Sequence, residues 1–96
     1  MKGTENLGEY LIILDKRDSV GTALKDIPAG EYFLNDEGSE SLIAVRELIR
    51  AGFKVSLCKI NKGELVYKYG DVIGMATRDI SPGDKIHIEN IKSLIQ

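Results

Sequence analysis

Two stretches, Ile60-Asn61-Lys62-Gly63-Glu64-Leu65-Val66 and Ile80-Ser81-Pro82-Gly83-Asp84-Lys85-Ile86, decide how this chain folds. Both read Ile-x-x-Gly-x-x-apolar, and the pattern occurs twice more, as Ile27 with Gly30 and Phe33 and as Ile49 with Gly52 and Val55. An isoleucine anchors a tight turn to the core, a glycine three residues on supplies a backbone with φ > 0, and a strand starts at once. The glycines fall into two pairs, Gly30 with Gly52 and Gly63 with Gly83, the second a little over thirty residues after the first. Chance matching of glycine turns in a small β protein is the competing explanation, but four units in one short chain read as an internal duplication. The periods are too few and too uneven for a solenoid. The expectation is a mainly β domain, α+β at most, closed or clipped on itself.

Working outward, Tyr10-Leu11-Ile12-Ile13-Leu14 is a β-branched run closed by the polar turn Asp15-Lys16-Arg17-Asp18. Residues 1–9 are expected as a loose N-terminal arm and residues 10–96 as a single domain. One segment is ambiguous: Ser39 to Gly52 carries a serine cap, apolar residues at Leu42, Val45, Leu48 and Ile49 and a closing glycine, all of which suit a helix. The duplication argues instead for a strand over residues 42–46 and a helical turn before Gly52.

The whole chain is 96 residues, 43% apolar and 29% charged, which is the balance of one globular domain with a single core. So small a domain buries only about 60–68% of its unfolded surface, so a partner subunit is expected. A formal net charge of −2 with no basic stripe argues against nucleic acid. No run of apolar residues is long enough for a membrane span, and the first residues lack a signal-peptide core, so the chain is expected in the cytoplasm. The lone Cys58 allows no intrachain disulfide and no cysteine zinc cluster.

The stretch from Gly52 to Asn90 resembles the SAF domain of the altronate/galactarate dehydratase family. The resemblance is carried by Gly52 with Lys54, Lys68-Tyr69-Gly70, Ile73-Gly74, Ala76-Thr77-Arg78-Asp79-Ile80, Gly83, His87 and Asn90. It reaches back more weakly through Asp18, Val20, Ala23-Leu24 and Asp26-Ile27-Pro28-Ala29-Gly30, and so covers nearly all of the chain from about residue 10. It implies a β-clip fold, twisted hairpins folded over one another, in agreement with the repeated turn-to-strand unit. In this family the domain is an N-terminal unit of sugar-acid dehydratases, and in sulfolactate sulfo-lyases a separate small subunit. Two departures stand out: where the family commonly has Gly-His-Lys this chain has Gly52-Phe53-Lys54, and where many members have two histidines flanking one residue before Asn it has His87-Ile88-Glu89-Asn90.

His87 is the only histidine. On a strand, His87 and Glu89 would share a face, giving either half of a metal site or an acid/base pair; a solvated histidine without a ligand fits the same spacing. Three protein ligands are the usual need of a catalytic zinc, so any metal would have to share ligands with another chain. Lys68 and Tyr69 place a cation and a phenol at a turn, a grip for a hydroxylated carboxylate or simply a polar hairpin end. The resemblance adds Lys54, Thr77, Arg78 and Asn90 as substrate-binding candidates. Cys58 reads as a structural thiol, and Asp71, Asp79 and Asp84 as turn residues. The expected function is a small accessory subunit of a sugar-acid dehydratase or related lyase. It would work beside a large catalytic subunit with iron or magnesium in the assembled enzyme, and His87 would be the catalytic candidate. A non-catalytic binding module or a homo-oligomerisation domain is the alternative.

Overall fold

The computed structural model describes residues 5–36 and 38–94 of the chain. It is built from ten strands: β1 (Glu5–Asn6), β2 (Leu11–Ile12), β3 (Val20–Ala23), β4 (Gly30–Asp36), β5 (Ser39–Val45), β6 (Lys54–Ser56), β7 (Leu65–Lys68), β8 (Asp71–Ala76), β9 (Lys85–Ile86) and β10 (Ile91–Ser93). A 3-10 turn, Leu7–Tyr10, joins β1 to β2. The strands form a central sheet in the order β2-β3-β6-β9 and two three-stranded sheets, β1-β4-β5 and β10-β8-β7.

The isoleucine–glycine pattern has a concrete backbone basis. Ile27 and Ile49 bridge one another through N–H···O bonds in both directions, and Ile60 and Ile80 do the same. The first bridge closes the base of the β4–β5 hairpin and the second that of β7–β8. All four side chains are buried. After three of the isoleucines comes the same turn, in which Phe53 N–H donates to Arg50 C=O, Glu64 N–H to Asn61 C=O and Asp84 N–H to Ser81 C=O. The glycine at its third position has φ of 92°, 91° and 93° at Gly52, Gly63 and Gly83, the geometry of a type II turn, in which Pro82 occupies the position that favours proline. Each turn also docks on a strand end in the same way: the glycine N–H donates to the carbonyl of Ala23, Ala76 or Ser56, and the next residue's carbonyl accepts from that residue's N–H. The fourth unit departs, since Gly30 enters β4 directly with φ of 157° and pairs with Val45.

Buried residues divide into two clusters rather than the single core expected for this length. Leu7, Leu11, Ala23, Ile27, Tyr32, Ile43, Val45, Ile49 and Val55 form one under the β4–β5 hairpin. Val20, Ile60, Val66, Ala76, Ile80 and Ile86 form the other under β7–β8. The period-2 alternation of strands explains the split. Ala23 and Val55 point to one face of the central sheet and Val20 and Ile86 to the other, so the sheet is sandwiched between the two clusters.

Two expectations need correction or refinement. Residues 5–9 are not a loose arm: β1 pairs parallel with β4, Leu7 is 0% exposed, and Tyr10 donates a hydrogen bond to Glu5 while stacking edge-on against Tyr32. The Glu5 carboxylate pushes the Tyr10 phenol up to about 12. Residues 1–4 lie outside the described residues. The ambiguous segment is strand, running from Ser39 to Val45, and its approach to Gly52 is a turn rather than a helical one. Pairing of seven residues with β4 outweighs the local helix signals.

Candidate functional site

The turn Ser81–Asp84 and strand β9 lead directly into a second turn, His87–Asn90. In it His87 C=O accepts from Asn90 N–H at 3.0 Å and Ile91 N–H at 3.2 Å. His87 and Glu89 are therefore not on one strand face, because β9 ends at Ile86. The turn nonetheless brings them together: Glu89 N–H donates to His87 Nδ1 at 3.2 Å, and the Glu89 carboxylate lies 3.8 Å from the same nitrogen. The two contacts belong to different protonation states. In the neutral ring Nδ1 accepts the backbone N–H, which leaves the proton on Nε2; once protonated, Nδ1 must release that bond and turn to the carboxylate.

Asn90, expected to bind substrate, is buried, with both ends of its amide bonded to backbone. Its Oδ1 accepts from His87 N–H at 2.9 Å and its Nδ2 donates to Lys85 C=O at 2.9 Å. It therefore fixes the backbone on both sides of Ile86 and sets where His87 stands. Thr77 closes the turn from outside, donating N–H to Asn90 C=O.

His87, Arg78, Glu89 and Asn90 line a cleft of about 240 Å³ together with Arg46, Glu47, Asp79, Gly83, Asp84 and Lys85. Arg46 and Glu47 directly follow β5, so the first hairpin supplies one wall and the second half of the chain the other. The walls are held together at two points. Arg46 Nη2 donates to Asp84 Oδ1 at 2.5 Å, and Gly83 packs so closely on β5 that a Cβ there would lie 2.2 Å from Ala44 O. Asp79 Oδ1 accepts from Lys62 N–H and Asp84 Oδ2 from Ser81 N–H, which confirms both as turn residues. Arg78 has no ion-pair partner among the described residues, and Lys85 Nζ lies 5.1 Å over the Phe53 ring. The antiparallel register Lys54↔Ile86 ends the β6–β9 pairing there, with Phe53 just before β6 and His87 just after β9. The apolar ring at the departure from the family pattern thus packs against Lys85, a wall residue of the cleft.

Lys54, Lys68, Tyr69 and Thr77 do not line this cleft. Lys54 sits in the central sheet between Thr22 and Ile86. Lys68 and Tyr69 stand at the tip of β7–β8, where Tyr69 and Gly70 both have positive φ, 56° and 81°, as a two-residue type I′ hairpin turn requires. That tip is docked on the Asp15–Asp18 loop by Gly70 N–H to Asp18 Oδ1 at 2.8 Å, and Lys68 Nζ lies over the Tyr69 ring. Sequence reasoning missed Lys85, two residues before His87, and Arg46 and Glu47, which only the closure of the first hairpin over the second unit brings to the cleft.

A divalent cation finds a pair of donors here rather than a set. Among the described residues no three His, Cys, Asp or Glu side chains are grouped to hold a metal ion, and His87 Nδ1 is already occupied by a backbone N–H. Cys58 is exposed beside Glu64, and partial burial pushes its thiol up, away from the thiolate a nucleophile needs.

The model of a family described as the altronate/galactarate dehydratase SAF domain matches residues 9–94, and the chain belongs to that family. It is 40% identical over 82 residues to an altronate dehydratase of Bacillus subtilis, covering 85% of this chain and 16% of that protein. With an altronate dehydratase of Escherichia coli it shares 34% identity over 76 residues, 79% of this chain and 15% of the relative. It is also 26% identical over 86 residues to the (2R)-sulfolactate sulfo-lyase subunit alpha of Chromohalobacter salexigens, covering 85% of this chain and 92% of that subunit. The chain thus spans only a small part of the two dehydratases it matches but nearly all of the lyase subunit. The described residues include no helix long and apolar enough to cross a membrane.

Proposed function

We propose that this chain is the small accessory part of a sugar-acid dehydratase or related carbon–oxygen or carbon–sulfur lyase, working in the cytoplasm beside a separate large catalytic chain. The observation that carries the reading is the cleft in which His87 is set by Asn90 and Glu89 and flanked by Arg78 and Lys85. Elimination next to a carboxylate needs a base for the carbon-bound proton and an acid for the leaving group. In this cleft the guanidinium of Arg78 and the ammonium of Lys85 attract a carboxylate. The Nε2–H of neutral His87 is a donor for a substrate hydroxyl. The base, and the divalent cation common to such eliminations, are assigned to the catalytic chain, so the isolated chain has no turnover. The likeness to a protein named as a lyase subunit, matched over 92% of its length, supports a separate polypeptide.

The test is reconstitution with the host's large chain similar to the part of altronate dehydratase that this chain does not span, assayed on altronate, galactarate and sulfolactate. Elimination is expected only from the complex. His87→Ala should lower its turnover by about 100-fold or more without lowering the thermal midpoint of this chain. Equal activity of the His87→Ala complex would overturn the role of the cleft. One observation favours a second reading, a non-catalytic binding or self-associating module: the apolar Phe53, packed against Lys85, stands where the family resemblance calls for a histidine. Under that reading the chain purifies alone and no large chain gains activity from it.

A further inference from the structure

Ile88 is 93% exposed, the most exposed of the large apolar side chains among the described residues. It is not carried on a slack loop. The turn that presents it is tied at both ends by the buried Asn90 amide, by His87 C=O accepting two backbone N–H groups, and by Thr77 N–H on Asn90 C=O. Two more exposed apolar side chains adjoin wall residues of the cleft without lining it. Leu48 follows the wall residue Glu47 in the chain, and Phe53 lies under the wall residue Lys85. A polar cleft thus has an apolar rim supplied by Leu48, Phe53 and Ile88. Single exposed apolar residues are ordinary on a protein surface, but one held rigidly in full solvent beside a charged cleft has the form of an interface anchor with its polar centre.

We infer that this rim is the surface that seats the large catalytic chain, with Ile88 inserted into an apolar socket of that chain and the His87 cleft closed between the two. The inference rests on the accessory-subunit reading and names the face that reading leaves open. The occupant is chosen over a second copy of this chain for two reasons. The same domain is joined to a much longer polypeptide in the altronate dehydratases and is a named subunit in the sulfo-lyase. In addition, Ile88 stands between the wall residues His87 and Glu89, so a cover seated on it also excludes water from His87.

The experiment measures binding of the full chain to the host's large dehydratase-like chain by calorimetry, alongside sedimentation of each chain alone. Ile88→Asp is expected to weaken binding by about tenfold or more while leaving the thermal midpoint unchanged, because the side chain touches solvent in the free domain. Leu14→Asp alters another well-exposed apolar residue, 70% exposed and outside this cleft, and is expected to bind as the parent does. His87→Ala should bind normally while failing in turnover. Unchanged binding by Ile88→Asp, or equal weakening by Leu14→Asp, overturns the assignment of this face. A dimer of this chain alone that Ile88→Asp dissociates overturns the choice of occupant. Failure of the parent chain to bind the large chain at all refutes the accessory-subunit reading itself, a result distinct from the other two.

Discussion

Replacing Gly83 by alanine isolates the contact that clips the two halves of the domain together. Gly52, Gly63 and Gly83 share one turn conformation, with φ between 91° and 93°, so an added methyl meets the same backbone strain at each, about 1–2 kcal/mol. Around Gly52 and Gly63 the methyl finds no atom within 4 Å, so strain is the whole cost. At Gly83 it would lie 2.2 Å from Ala44 O, 2.9 Å from Ala44 C and 3.0 Å from Ile43 Cγ2, where ordinary contact begins at 3.4 Å. Ala44 cannot step aside, because it pairs with Glu31 in β4 and its neighbours Ile43 and Val45 are both buried. The turn must retreat instead, pulling Asp84 from Arg46 and opening the cleft, at a further cost of about 1–3 kcal/mol typical of overpacking. Gly52→Ala should therefore lose about 1–2 kcal/mol and Gly83→Ala about 2–5 kcal/mol. With a shift of about 4–8 °C per kcal/mol for a domain of this size, the two melting midpoints separate clearly by circular dichroism or calorimetry. Equal midpoints for the two variants would refute the reasoning, since they would mean that the approach of Gly83 to β5 is not rigid.

Asn90→Ala leaves His87 N–H and Lys85 C=O without their buried partner, and about 2–4 kcal/mol of stability should be lost in urea titration, with His87 displaced and turnover of the complex reduced. The Arg17 side chain and backbone N–H hold the Asp15 carboxyl below the usual carboxylate range. A lowered folded-state value gives stability that is present above the unfolded value, near pH 4, and lost as pH falls through the folded one. Urea midpoints of the parent and Asp15→Asn should therefore differ at neutral pH and converge in acid; a constant gap would count against the pair.

Much of this was legible in the residues because it was written as backbone chemistry. The Ile-x-x-Gly pattern identified the turns correctly, since only glycine suits the positive φ at Gly52, Gly63 and Gly83, and the bridged isoleucines had to be apolar. The duplication argued for a strand over residues 42–46 against the local helix signals, and the strand runs from Ser39 to Val45. What escaped was long-range. Leu7 looks like any residue of a polar N-terminal segment until the pairing of β1 with β4 sets it in the first apolar cluster. Lys68 and Tyr69 were grouped with His87 by resemblance, yet the hairpin carries them to the Asp15–Asp18 loop. Arg46 and Glu47 reach His87 because β5 folds back over Gly83, an approach no local spacing announces.

The crossing of the two apolar clusters has a consequence for the chain as a whole. Val20 precedes the first hairpin yet packs under the second, whereas Val55 precedes the second and packs under the first. Each half lends a strand residue to the other's interior, so neither owns a complete core. Such halves are a swapped pair held on one thread. Joining them makes their meeting intramolecular, and ties the opening of either hairpin to the loosening of both.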